Sequence, residues 1–247
     1  MAHNERQYLR KLPSLTLFFP FFNDAGTVKR QIEDAYIYGP QVANKIEVIA
    51  IHGGNSKDLT WQKICETKKK YPDLVTINKN DNIYGYAVIR EGFLKATSDW
   101  VFYTDGDRQY HVKNLIDLVK MQNRTNASLI NGCKKQRDDS FVRIFFGKLY
   151  VLFFKLLFRI PLSDPHCDFR LIRRKYLEGW RPYRVIGAEI ITSLLMHVKT
   201  QHIVFSQVYI PHYHRTYGKT NYSIIRLISE SIIGDIRTLV NYGHSVS

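Results

Sequence analysis

Apolar and polar positions fall into blocks along the first hundred residues, and the blocks predict a repeating strand and helix order. Residues Ser14 to Pro20 form a short apolar run closed by proline. A polar loop follows, Phe22-Asn23-Asp24-Ala25-Gly26-Thr27, and apolar positions at helical spacing then continue to about Tyr38. The second run, Lys45 to Ile51, ends in His52-Gly53-Gly54-Asn55-Ser56-Lys57-Asp58 and leads into a helical pattern reaching about Tyr71. A third, near Leu74 to Ile77, passes through Asn82-Ile83-Tyr84-Gly85-Tyr86-Ala87 into a helix ending at Ala96. The fourth lies in Ser98 to Gln109, is rich in aromatic residues, and ends on Asp105-Gly106-Asp107.

Strands alternating with helices in this way build βαβ units, so the chain reads as an α/β protein with a mainly parallel sheet flanked by helices. Ligands of such sheets bind at the carboxyl ends of the strands. Every polar loop named above is predicted to lie there, so Asn23 and Asp24, His52 to Asn55, and Asp105 to Asp107 converge on one crevice. Two aspartates at i and i+2 project to the same side of an extended chain, with Gly106 between them allowing close backbone approach. Such a pair invites a hard divalent cation, and Asp-Gly-Asp as a plain turn is the reading that stands beside it.

The later chain carries two helical patterns of a different kind. Phe141 to Ile160 is strongly apolar, with Lys148, Lys155 and Arg159 predicted on one face. It reads either as a core helix or as a helix lying in a membrane interface with its cations near lipid phosphates. Ser223 to Tyr242 reads as a closing amphipathic helix. The resulting organisation is an amino-terminal extension over 1–13, one domain over 14–223 and a terminal helix over 224–247.

Charge changes the picture more than composition does. With 36 Lys and Arg against 22 Asp and Glu the net charge is +14, and Lys134 to Arg184 alone holds 13 basic and 5 acidic residues. That region is expected to face something anionic. Nucleic acid is disfavoured because the cations interleave with a large apolar helix and no recognition module is readable. Cys65, Cys133 and Cys167 are odd in number and lack metal-ligand spacing, so reduced thiols are expected. The first eleven residues offer no apolar core for a signal peptide, and no apolar run is long enough to cross a bilayer.

Taken together, Pro20-Phe-Phe-Asn-Asp24, Gly53-Gly54-Asn-Ser, Asn82-x-x-Gly85-x-Ala87 and Asp105-Gly106-Asp107-x-Gln109 resemble family 2 glycosyltransferases with the GT-A fold. Downstream, Asp164-Pro-His-Cys-Asp-Phe-Arg170 is similar to that family's Asp-x-x-x-Gly-Phe-Arg segment, and His212-Tyr-His-Arg215-x-x-Gly218 to its Arg-x-x-Gly segment. The layout is most similar to the dolichol-phosphate mannosyltransferase and polyprenyl-phosphate glycosyltransferase branch. The resemblance implies an inverting transfer of sugar from a nucleotide-sugar donor, with Mg²⁺ or Mn²⁺ held by Asp105 and Asp107. It also implies donor contacts from Pro20, Asn23, Asp24, His52, Gly53, Gly54, Asn82, Gly85 and Gln109. Arg170 and Arg215 match the arginines that hold a lipid-phosphate acceptor, which together with Asp107 makes them the expected catalytic set.

Two departures from the family pattern matter. His52-Gly53 stands where two consecutive acidic residues are common, so His52 either hydrogen-bonds the nucleotide base or fills space at a strand end. Asp168 replaces the usual glycine and is expected to form a salt bridge to a nearby arginine. Asp168 and Glu189 are the candidate bases for a hydroxyl acceptor. His212 and His214 are expected to share a strand face near the diphosphate. The expected location is cytoplasmic and peripheral to a membrane, through direct contact, a membrane-protein partner or a homo-oligomer. The alternatives are a catalytically silent binding or scaffold protein of the same fold and a glycosyltransferase using a hydroxyl acceptor.

Overall fold

The computed structural model describes residues 9–79, 86–134, 141–180, 189–218 and 224–243; the side chains of 86–87, 141–146, 224–230 and 241–243 lie outside the description. The chain runs β1 (Leu12–Phe21), α1 (Val28–Val42), β2 (Ala43–His52), α2 (Thr60–Lys70), β3 (Val75–Asn78), α3 (Tyr86–Lys95) and β4 (Trp100–Thr104). It continues through α4 (Leu115–Thr125), β5 (Leu129–Lys134), α5 (Phe141–Phe158), β6 (Phe169–Arg173), α6 (Glu189–Lys199), β7 (Phe205–Ile210) and α7 (Ile224–Gly243). The first seven elements follow the order predicted from the hydrophobic pattern.

The strands form a single sheet in the order β3-β2-β1-β4-β6-β5-β7. Pairs β1/β2, β1/β4, β2/β3 and β5/β7 are parallel, whereas β6 is antiparallel to both β4 and β5. The reversed strand therefore starts at the edge where its neighbours end, with Phe169 opposite Thr104 and Arg170 opposite Tyr103. Residues just before β6 are thereby placed beside residues just after β4.

β1 lies in the interior of the sheet and is buried on both faces, so its sequence is a continuous apolar run rather than an alternation. Leu15, Leu17, Phe19 and Phe21 pack on one face against α1, α2 and α4 residues such as Ile32, Ile64 and Leu118. Phe18 points to the other, where Phe93 of α3, Phe154 and Phe158 of α5 and Leu194 of α6 close the second core. Each fully buried phenylalanine contributes on the order of 1.5–3 kcal/mol relative to exposure.

The core reading of α5 holds for one side of the helix, and the other side is open. Phe154 and Phe158 are buried, while Leu149, Leu152 and Leu156 are exposed, Leu156 at 72%. Arg159 does not continue the basic face: the helix ends at Phe158, and Arg159 adopts a left-handed backbone with φ 50°. Among the described residues, no helix is long and apolar enough to cross a membrane. Among the described residues, no disulfide joins Cys65, Cys133 and Cys167 to one another.

Candidate functional site

The crevice is built from the loops that follow β1, β2 and β4 and from the segment that precedes β6. Gly106 donates its N–H to the Pro20 carbonyl at 3.1 Å, and a Cβ at Gly106 would collide with the Phe21 ring and lie 2.6 Å from the Pro20 oxygen. Only glycine lets the Asp105–Asp107 turn lie this close against the end of β1. Arg108 completes the turn in a left-handed conformation, φ 61°, and its guanidinium is held by Asp34 at 2.7 Å. A non-glycine residue there carries roughly 1–2 kcal/mol of local strain, and the buried carboxylate of Asp34 fixes it. Apolar and polar patterning gave no signal for this pair.

Asp107 is 4% exposed. Its Oδ1 accepts the N–H of Gln109 at 2.9 Å, and its Oδ2 pairs with Arg215 Nη2 at 2.6 Å. Gln109 in turn accepts the N–H of Tyr213 at 2.9 Å, so the segment after β7 is tied across the crevice. Tyr213 stacks on His111 with ring centres 4.1 Å apart. His212 and His214 do not share a strand face, because β7 ends at Ile210; His212 packs edge-on against Tyr110 instead.

Asp105 faces a different neighbour. The Tyr103 hydroxyl lies 2.8 Å from Asp105 Oδ1 and 3.1 Å from Asp168 Oδ1, so one proton is shared between two carboxylates. Burial, then the charges of Asp168 and Asp107, raise the Asp105 carboxyl well above its ordinary value. Burial also raises Asp168, opposed by the charges of Arg170 and Lys134. Asp168 thus joins the Asp105 carboxylate through Tyr103, a partner that its place in the sequence did not indicate. The reversed direction of β6 brings the two together.

Arg170 does not open onto the crevice. It is 0% exposed, and its Nη2 donates to the carbonyls of Pro165 at 3.0 Å and Cys167 at 2.8 Å. It braces the 165–167 turn from within, whereas Arg215, with a side chain 29% exposed, is the motif arginine that reaches the open side. Glu189 is also remote from the crevice: it starts α6 and packs against Gly234 of α7.

Around β1 and β2 the loops hold one another. His52 Nδ1 lies 2.7 Å from Asn78 Oδ1 and Nε2 lies 2.8 Å from Ser56 Oγ. An amide oxygen only accepts, so Nδ1 carries the proton and Nε2 accepts from Ser56. Ser56 Oγ also accepts the N–H of Asn23 at 3.1 Å, and Asn23 Oδ1 accepts that of Lys57 at 2.6 Å. With both ring nitrogens engaged, His52 fills and braces the end of β2; the alternative of a ring nitrogen bonded to a base is not what this geometry provides. Gly53 donates to the Phe21 carbonyl at 3.0 Å, and Gly54 takes the left-handed conformation, φ 68°. Asn82 and Gly85 lie outside the described residues.

Asp24 is buried, and its Oδ2 accepts the N–H of Phe22 at 3.0 Å while Oδ1 has no partner among the described residues. Burial, with a further contribution from Asp107, pushes its pKa up to about 6. An orphaned carboxylate oxygen and the crowding of Asp24, Asp105, Asp107 and Asp168 create an excess of negative charge that Arg215 only partly offsets. Oxygen donors of this kind suit Mg²⁺ or Mn²⁺. Among the described residues, no three His, Cys, Asp or Glu side chains are arranged as a complete metal site. Two carboxylates would therefore need ligand oxygens to complete a coordination shell.

The sequence model described as Glycosyl transferase family 2 matches residues 16–180. The undecaprenyl-phosphate 4-deoxy-4-formamido-L-arabinose transferase of Pseudomonas syringae pv. syringae (strain B728a) is 23% identical over 218 residues, covering 87% of this chain and 62% of the relative. The chain thus spans less than two thirds of the length of that curated relative. In structure it is similar to mannosyl-3-phosphoglycerate synthase from Rubrobacter xylanophilus, with a TM-score of 0.69 at 15% identity, covering 94% of this chain and 75% of that one. It is also similar to glucosyl-3-phosphoglycerate synthase from Mycobacterium tuberculosis in complex with Mn²⁺, UDP-glucose and phosphoglyceric acid, with a TM-score of 0.64 at 12% identity and coverage of 92% and 80%. At these identities the likeness establishes a shared GT-A type fold.

Proposed function

The chain belongs to glycosyl transferase family 2, and we propose that it moves a sugar from a nucleotide-sugar donor to the phosphate of a polyprenyl phosphate, with inversion at the anomeric carbon. The observation that carries this reading is the Asp107–Arg215 pair beside the Asp105 carboxylate, on a turn packed against the end of β1. A nucleoside diphosphate needs this combination: carboxylates to hold a cation beside its phosphates, and a mobile cationic side chain to take up charge as the glycosidic bond breaks. Asp105 and Asp107 would hold Mg²⁺ or Mn²⁺, which when bound supplies positive charge to the diphosphate leaving group. The presence of Mn²⁺ and UDP-glucose in the Mycobacterium tuberculosis structure supports that assignment.

The chain's own residues have separate parts in the reaction. Gly106 brings the turn onto the Pro20 carbonyl, and the His52–Ser56–Asn23 bonds keep the β1 and β2 loops at fixed separation. Arg215 neutralises Asp107 before donor binding and is exposed enough to turn toward a phosphate. A phosphate oxygen is ionised near neutral pH and attacks without a base, so Arg170 is a positioning residue that shapes the 165–167 turn. The activity named for the Pseudomonas relative supports undecaprenyl phosphate, or a lipid phosphate like it, as the acceptor class. The exposed leucines of α5 support peripheral attachment at the cytoplasmic face of a membrane. A hydroxyl acceptor is the second reading, favoured by Asp168, a carboxylate bonded to the Tyr103 hydroxyl beside Asp105 whose burial raises its pKa toward that of a general base.

Calorimetric titration of a panel of nucleotide sugars, with and without Mn²⁺, tests the proposal. Metal-dependent binding of one donor is expected. Absence of metal-dependent binding to every donor would overturn the enzyme reading in favour of a silent binding or scaffold protein.

A further inference from the structure

A second concave site adjoins the crevice. A cavity of about 280 Å³ lies between the end of β5 and α5, lined by Lys134, Lys148, Val151, Lys155, Ser163 and Asp164 among others. Three ammonium groups therefore border one cavity beside a single carboxylate. Asp164 Oδ2 lies 3.5 Å from the backbone N of Lys134, and its carbonyl accepts from Asn131 Nδ2 at 2.7 Å and from the N–H of Cys167 at 3.1 Å, so this one carboxylate offsets at most one of the three charges. No ion pair joins Lys134, Lys148 or Lys155 to another described residue. Like charges gathered in a concave site repel and raise the local affinity for an anion.

The helix gives the cavity a direction. Lys148, Val151 and Lys155 form the row of α5 that lines it. Leu149, Leu152 and Leu156, each one residue further on, form the neighbouring row and are exposed at 51%, 53% and 72%. One residue is about 100° on a helix, so a cationic row and an apolar row run side by side. Asp164 links the cavity to the crevice, since its carbonyl accepts the N–H of Cys167, the neighbour of Asp168. An ammonium group is a point-like phosphate binder that tolerates several approach angles.

We infer that the Lys134–Lys148–Lys155 cavity binds a phosphate monoester carried on a long apolar chain, with the phosphate among the lysines and the chain along Leu149, Leu152 and Leu156. The inference deepens the proposed function, on which it rests, by assigning acceptor recognition to these lysines rather than to Arg170. The cavity volume accommodates a phosphate and the start of its alcohol, being near the lower end of ligand pockets at roughly 300 Å³.

Flotation of the full chain with three kinds of vesicle tests it: phosphatidylcholine alone, with phosphatidic acid, and with phosphatidylserine at matched charge. Phosphatidic acid exposes a phosphate monoester and is expected to recruit the protein in preference to phosphatidylserine. The Lys148→Gln/Lys155→Gln variant should lose that preference by about tenfold or more, whereas Lys120→Gln, which removes a charge from α4, should keep it. Melting curves establish that each variant is folded, and Lys134→Gln alone serves if the double variant is not. Equal recruitment by the two anionic lipids, or an equal loss in Lys120→Gln, would overturn the inference in favour of general charge attraction. Protection by inorganic phosphate without any vesicle preference would overturn its lipid part and identify a soluble phosphate as ligand. Donor titration separates the two proposals. Intact donor binding with no lipid preference sinks the cavity assignment, and lipid preference without donor binding sinks the transferase reading.

Discussion

The proposed donor side, around the ends of β1, β2 and β4, and the proposed acceptor side, between β5 and α5, belong to the same sheet but are built on opposite principles. On the donor side, His52, Asn23, Ser56, Asp107 and Gln109 take hydrogen-bond partners from neighbouring loops. These groups are preorganised by the protein itself, which is what charge stabilisation in a transition state requires. On the acceptor side, three lysines border a cavity and three leucines of α5 face outward. Exposed apolar surface beside clustered like charge is costly to an isolated protein and useful to one that meets a lipid. The first half is thus largely held by its own hydrogen bonds, with the Asp24 Oδ1 oxygen left over, whereas the second presents clustered cations and apolar surface outward.

The largest effect should come from breaking the donor side. Asp107→Ala removes a carboxylate from the turn and the partner of Arg215, and turnover is expected to fall by about 10³-fold or more, measured by transfer from the donor identified in titration. Retained full turnover would refute the metal role. Next is the anchor that holds α5 on the sheet. Phe154→Ala empties a fully buried site between α5 and the second core and should cost about 3–5 kcal/mol in urea denaturation. A loss below roughly 1 kcal/mol would mean that α5 is not fixed by its buried face.

A smaller, pH-dependent effect tests the joint between the two sides. His166 Nε2 lies 2.5 Å from the Tyr150 hydroxyl, which donates to Asp235 of α7 at 2.6 Å and so accepts from the imidazole. Burial, then the charge of Arg170, pushes the His166 pKa down from 6.5 to about 4. Between those values the unfolded chain binds a proton that the folded chain does not. Stability is therefore complete above pH 6.5 and declines as pH falls toward 4, by roughly 3 kcal/mol. His166→Gln should flatten this part of the pH–stability curve, and an unchanged slope would remove His166 as its source. The smallest effect on folding should be at the apolar row: Leu156→Gln is expected to change stability by no more than about 0.5 kcal/mol, yet weaken vesicle flotation severalfold. Unaltered flotation would remove Leu156 from the contact surface.

Much of the fold was legible in the sequence because buried parallel strands and amphipathic helices leave different periods in the chain. Leu12–Phe21, Ala43–His52, Val75–Asn78 and Trp100–Thr104 stand within two or three residues of their predicted positions. The strands β5, β6 and β7 and the helix α4 were less legible, and the direction of β6 was hidden altogether. A short apolar run reads the same whether its strand is parallel or reversed. The motif aspartates could be found from Asp-Gly-Asp and its neighbours, whereas the burial of Arg170 depended on what β4 and β5 placed on either side of it.

The sequence by itself determined that this is an α/β chain with polar loops at the carboxyl edge of its sheet and a basic, apolar segment in its second half. Those properties reside in local pattern and composition. Only the tertiary structure decided which charges meet. The reversed β6 brought Asp168 to the hydroxyl shared with Asp105, sealed Arg170 beneath its turn, and left Arg215 to neutralise Asp107. It also divided α5 into a buried phenylalanine face, a lysine row and a leucine row. Each of these outcomes depends on residues far apart in sequence being packed within a few ångströms, and that proximity is fixed by strand order and direction.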